Sequence, residues 1–166
     1  MFSFWNHLLG ALRVRIHRFF LNFSKQPDAV LVYPNLFCGG FSSLTSLKKF
    51  KINSIVDLTE NQYNKHDSSK FSINYFELPV PDRGVPTLDE VFTAVKWIQD
   101  QLENNKKVFV HCNLGRGRGP LLTALYLVYT GMNTHDVIEL LRKKRPYVFF
   151  NHNQQKFLTL FEKNLN

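Results

Sequence analysis

Apolar positions recur along this chain with two different periods. From Phe2 to Phe23 the large apolar residues Phe2, Trp5, Leu8, Leu9, Leu12, Ile16, Phe19, Phe20 and Phe23 are spaced three and four apart. At about 100° per residue they fall within roughly 120° of arc, which predicts an amphipathic helix. Arg13, Arg15, His17, Arg18 and Asn22 lie outside that arc. Lys25-Gln26-Pro27-Asp28 then reads as a linker, because proline ends a helix and polar residues flank it. Beyond it, short apolar runs alternate with helical patterns. Val30–Val32, Leu36–Cys38, Ser54–Leu58, Ile73–Leu78 and Lys107–His111 are expected strands, with Gly39-Gly40 as a turn after the second. Ser43–Phe50 suits a short helix. Pro79, Pro81, Gly84 and Pro86 make 79–86 a restricted loop. Thr87 with Glu90 three residues on is a capping box, opening a helix to about Asn104 with Val91, Val95, Ile98 and Leu102 on one face. Further helices fit 119–130, Thr134–Lys144 and His152–Asn164. The expected organisation is therefore a basic amphipathic helix and linker over 1–27, then an α/β domain over 28–166 with a central, mostly parallel sheet flanked by helices.

Charge adds a question to this picture. Of 166 residues, 21 are Lys or Arg and 13 are Asp or Glu, a formal net charge of +8. Residues 1–27 carry Arg13, Arg15, Arg18 and Lys25 with no acid, so half of the excess lies in the first sixth of the chain. A helix of this kind can pack on its own domain or a partner. It can also lie on an anionic membrane surface through residues 1–23, or serve as a mitochondrial targeting segment. No apolar run approaches the ~20 residues of a spanning helix. The two cysteines, Cys38 and Cys112, cannot form a disulfide framework or a four-ligand zinc site. These features point to a cytoplasmic, reducing setting, with peripheral membrane attachment as an option.

The chemistry concentrates in His111-Cys112-Asn113-Leu114-Gly115-Arg116-Gly117-Arg118-Gly119-Pro120, between an expected strand and an expected helix. A helix N-terminus offers unpaired N–H groups and the positive end of a dipole to an anion. Gly115, Gly117 and Gly119 let the backbone curl so that several N–H groups face one cavity. A cysteine at the start of such a cradle is expected as a thiolate. Arg118, six residues on, brings a planar fork suited to two phosphate oxygens. A thiolate under an oxyanion nest describes covalent phosphoryl transfer. The alternatives are a core cysteine and a flexible basic turn. A leaving group also needs a proton. Asp82, 30 residues before Cys112 in the Val80–Pro86 loop, is the candidate acid; on its own it would be an ordinary turn aspartate.

The stretch His111-Cys112-x-x-Gly115-x-x-Arg118, together with Leu78-Pro79-Val80-Pro81-Asp82, resembles the cysteine-dependent protein tyrosine phosphatase superfamily, specifically the small dual-specificity phosphatases. Gly39-Gly40, Ile55–Thr59, Arg145-Pro146, Asn151 and Gln154-Gln155 add to the resemblance, which covers about 30–163. It implies a phosphatase fold with Cys112 as nucleophile, Arg118 as phosphate ligand and Asp82 as acid and then base. It implies Asn113, Leu114, Gly115, Arg116 and Gly117 as the phosphate-binding loop, His111 and Gly119 as supporting positions, and neither metal nor cofactor. The implied substrate is a phosphoprotein or, as the alternative, a phosphoinositide or other phospholipid. Gly119 departs from the family pattern, which has Ser or Thr there. The group resembling phosphatase of regenerating liver lacks that hydroxyl too. Slow turnover, or phosphate binding without turnover, is a further reading. Arg116 stands where lipid phosphatases similar to the tensin-homologue group carry Lys, and Arg83 adds positive field beside the acid. Arg142–Arg145 reads as a solvated basic run at a helix C-terminus. Nucleic acid is not expected, since no aromatic stacking strand accompanies the charge.

Overall fold

Strand β5, Val108–Cys112, is wholly buried, and its β-rich sequence leads straight into the loop of interest. It lies at the centre of a five-stranded sheet in the computed structural model, which describes residues 12–13, 15–16, 28–60 and 73–165. The other strands are β1 (Ala29–Tyr33), β2 (Leu36–Gly40), β3 (Ser54–Asp57) and β4 (Asn74–Glu77), in the order β1-β2-β5-β3-β4. Only the β1–β2 pair is antiparallel; β2, β5, β3 and β4 run parallel. The helices are α1 (Leu44–Leu47), continued by a 3-10 turn at Lys48–Phe50, then α2 (Leu88–Glu103), α3 (Arg118–Tyr129), α4 (Thr134–Lys144) and α5 (His152–Leu165).

Side chains alternate across a strand, so each strand feeds two cores. Phe37, Ile55 and Phe109 pack with Leu44, Leu47 and Ile52 on one side. Leu36, Cys38, Val56, Val108, Val110 and Cys112 face the other, larger core beneath α2, α3 and α5. Helix α3 is buried from Arg118 to Val128, so it runs through the interior with its N-terminus at the end of β5. The Thr87–Glu90 capping box forms as expected.

Four expectations change. Gly39 and Gly40 are the last residues of β2 rather than a turn. A Cβ on Gly40 would lie 2.5 Å from Asp28 Oδ2 and 3.1 Å from Asn113 O, so this strand end is glycine because Asp28 and the loop after β5 press against it. Asp28 is not a solvated linker residue but is 5% exposed. On α2 the buried position is Gln101, which accepts from Ser54 Oγ at 2.9 Å, while Leu102 is half-buried. Helix α3 starts at Arg118, one residue early. Residues 12–13 and 15–16 are helical and exposed; the remainder of the helix and linker expected over 1–27 lies outside the described residues. Among the described residues no helix is long and apolar enough to cross a membrane.

Candidate active site

Parallel strands end on one edge of the sheet, and loops leaving that edge converge. Here the loops after β3, β4 and β5 bring Thr59, Glu60, Asp82, Arg83, Cys112 and Arg118 to a single cavity of about 510 Å³. Cys112 is 3% exposed. The loop above it, 113–117, is held by its carbonyls. Asn113 O accepts from Phe41 N (3.1 Å) and Arg116 O from Phe149 N (2.9 Å). Arg145 Nε donates to Gly115 O (2.9 Å) and its Nη2 to Leu114 O (3.4 Å). In a trans peptide the following N–H points opposite to the carbonyl, and no cis peptide is present among the described residues. Tying the carbonyls of 113–116 to the scaffold therefore turns the N–H groups of 114–117 the other way, toward an anion. Gly115 makes the reversal at φ 62, and a Cβ there would lie 2.5 Å from Gly40 N and from Arg145 Nη2.

Arg145 is itself 0% exposed and paired with Asp28 at 2.6 and 3.2 Å. Burial disfavours its charge, and Asp28 more than restores it, so the guanidinium is held above its ordinary range. The expected solvated run 142–145 thus ends in a buried structural cation, while Arg142, Lys143 and Lys144 are exposed.

Arg118 is fixed by Val80 O (2.8 Å) and Leu58 O (3.3 Å), both accepting from Nη1. Its Nη2 lies 3.2 Å from Asp82 Oδ1, joining the acid loop to the cradle. The Asp82 side chain is 76% exposed at the cavity mouth. Its backbone N–H donates to Glu60 Oε2 (3.1 Å), and Gly84 N donates to Pro81 O (2.8 Å) to close a turn in which Arg83 is left-handed, φ 62. Arg116 lines the same cavity and donates from Nε to Tyr147 O at 3.4 Å. Partial burial, and then the Arg83 charge, press its guanidinium below the ordinary range.

His111 faces the opposite side of the sheet from Cys112. It stacks on Phe109 (5.1 Å between centroids) and lies 3.8 Å from Asp57 Oδ1. Burial lowers its pKa against the pull of Asp57, so its imidazole is kept neutral under the loop. A Cβ on Gly119 would meet Cys112 N at 3.2 Å and His111 Cα at 3.3 Å, which places this residue against the backbone that carries the thiol. Cys38 pairs in register with Val110, two residues from Cys112. Sheet spacings put the two Cα atoms about 8 Å apart, beyond the ~7 Å a disulfide can bridge. Burial pushes the Cys38 thiol up to about 12, leaving it protonated and inert. Among the described residues no cluster of His, Cys, Asp and Glu could hold a metal ion.

Of the expected site residues, Asp82, Cys112, Asn113, Leu114, Arg116, Gly117 and Arg118 line this cavity, Gly115 and Gly119 shape the backbone around it, and His111 faces the other side of the sheet. Glu60, which lines the cavity, and Asp28 and Arg145, which brace its loop from behind, are not among the expected site residues. Glu60 had a usable signal, because it follows β3 on the edge where strand-to-helix loops gather.

Such a cradle at the end of a parallel strand, with this sheet order, defines the class of the cysteine-dependent phosphatases. The family model for the dual specificity phosphatase catalytic domain matches residues 36–164, and the chain belongs to that family. It is 32% identical over 124 residues to "PRL-1 phosphatase" of Drosophila melanogaster, covering 72% of this chain and 68% of the relative. It is 29% identical over 141 residues to human "Dual specificity protein phosphatase 9"; there the match covers 82% of this chain but spans only 36% of the relative's length. A solved structure of PTPMT1 in complex with PI(5)P shares the fold, with a TM-score of 0.76 at 19% identity over 83% of this chain and 96% of that one.

Proposed function

We propose that the chain hydrolyses phosphomonoesters of proteins through a phosphocysteine. Cys112 Sγ attacks phosphorus, the N–H groups of 114–117 and Arg118 hold the three equatorial oxygens, and the P–O bond to the leaving group breaks as Asp82 protonates that oxygen. Asp82, now a carboxylate, takes a proton from water. The hydroxide oxygen bonds to phosphorus, the S–P bond breaks, and its electrons return to Cys112. The steps use only the chain's own residues and water. The observation that carries this reading is the outward tying of the loop carbonyls, which aims a ring of N–H groups above a buried thiol.

A phosphoinositide or phospholipid substrate is the second reading. Arg83 and Arg116 line the cavity beside Arg118, offering charge for more than one phosphate, and the PTPMT1 neighbour is described in complex with PI(5)P. Residues 1–23 would then meet the membrane. A third reading is slow turnover or phosphate binding alone, supported by Gly119, which supplies no hydroxyl to the departing thiolate.

A panel of phosphotyrosine peptides and phosphoinositides, run with wild type and Cys112→Ser, separates these. Release from the peptides, lost in the variant, is the expected result. Release from phosphoinositides alone would overturn the protein-substrate reading in favour of the second. Binding of both without release would establish the third.

A further inference from the structure

Helix α5 begins with Asn151 in the N-cap position and Gln154 three residues on. Gln154 N donates to Asn151 Oδ1 (2.9 Å), and Asn151 N donates to Gln154 Oε1 (3.3 Å). This is a capping box, which needs only acceptor atoms and is usually built from Ser, Thr or Asp with Glu or Gln. With both oxygens committed to the helix, the two NH₂ groups must point away from it. Both donate to the acid loop: Asn151 Nδ2 to Arg83 O (2.8 Å) and Gln154 Nε2 to Gly84 O (3.1 Å). Arg83 is the left-handed residue next to Asp82, a conformation that costs a side-chain-bearing residue energy and persists only where its surroundings hold it. The same Gln154 amide lies where a Cβ on Gly117 would contact it, 3.4 Å away. One pair of amides therefore caps a helix, abuts the phosphate loop and grips the two residues after the acid.

We infer that Asn151 and Gln154 are positioning residues that clamp the acid loop over the cradle, so that Asp82 is in place before substrate arrives. The inference rests on Asp82 being the acid. It explains why both box positions are amides: Ser and Glu would cap α5 equally well and supply no donor to Arg83 O or Gly84 O.

Asn151→Ser tests it, because Ser keeps the cap and is too short to reach Arg83 O. A poor leaving group such as tyrosine phenolate, pKa ~10, needs the acid, whereas an activated umbelliferyl phosphate needs it far less. The expected loss in kcat is about tenfold on the phosphotyrosine substrate and less than about twofold on the activated ester, with KM little changed. Adding Asn151→Ser to Asp82→Asn should cost nothing more. Amide hydrogen exchange gives a reading independent of turnover. Asp82 and Gly84 N–H should exchange about tenfold faster in Asn151→Ser, while Gln154 N–H, still capped, stays protected. Equal losses on both substrates, or unchanged exchange at 82–84, would overturn the clamp. A flat leaving-group response in Asp82→Asn itself would remove the acid, and with it the reason for the clamp. A normal response there beside an unaffected Asn151→Ser would remove the clamp alone.

Discussion

Replacing Cys112 by Ser is expected to lower phosphate release from an aryl phosphate by at least ~10⁴-fold. The hydroxyl is close in shape to the thiol it replaces at a position 3% exposed, so the fold and the cradle stay as they are. Only the nucleophile changes, since serine's hydroxyl does not ionise near neutral pH. The N–H groups of 114–117 and Arg118 remain, so affinity for inorganic phosphate should stay within a few-fold of wild type. Steady-state kinetics with phosphate binding by calorimetry checks both halves. Retention of more than about a tenth of the activity would remove Cys112 as the nucleophile.

The second large effect lies away from the cavity. Arg145→Met should destabilise the protein by about 4 kcal/mol, because it leaves the Asp28 carboxylate buried without its partner. It should also loosen the phosphate loop, since Gly115 O and Leu114 O lose their donor. Asp28→Leu combined with Arg145→Met removes the stranded charge and should recover part of the melting temperature. The phosphate affinity should not recover, because the loop carbonyls still lack Arg145. Thermal melts and phosphate titrations on the wild type and the two variants distinguish a loop brace from a fold brace. Recovery of both properties in the double variant would show that Arg145 serves stability alone.

The strands, the five helices of the domain and the Cys112–Arg118 loop were legible because their signals are local: a β-rich run, a capping box, glycines between a strand and a helix. What was not legible depends on contacts far apart in the chain. Gly39-Gly40 looks like a turn until Asp28 and Asn113 are packed against it. Arg145 follows three exposed cations, and nothing nearby shows that it turns inward to a carboxylate 117 residues away. Asn151 and Gln154 carry capping-box spacing in the sequence, yet the spacing says nothing about where the spare NH₂ groups point. Gln101 is buried in place of Leu102 because Ser54 and Asn74, on two strands, converge on its carbonyl.

The central claim is that phosphate passes through sulfur. Gly119 makes the intermediate easier to catch. If a hydroxyl at position 119 would hydrogen-bond the sulfur, its absence removes one charged hydrogen bond worth ~1.5–3 kcal/mol and should slow hydrolysis of the phosphocysteine by about ten- to a hundredfold. Gly119→Ser should shorten its lifetime, provided the backbone at Cys112 and His111 yields to a Cβ at 3.2–3.3 Å. Rapid acid quench of wild type with a ³²P-labelled substrate, followed by peptide mapping, is the direct measurement. Label on the peptide containing Cys112, diminished in Gly119→Ser and absent in Cys112→Ser, is the predicted result. Phosphate released at every quench time with no label on Cys112 would contradict it.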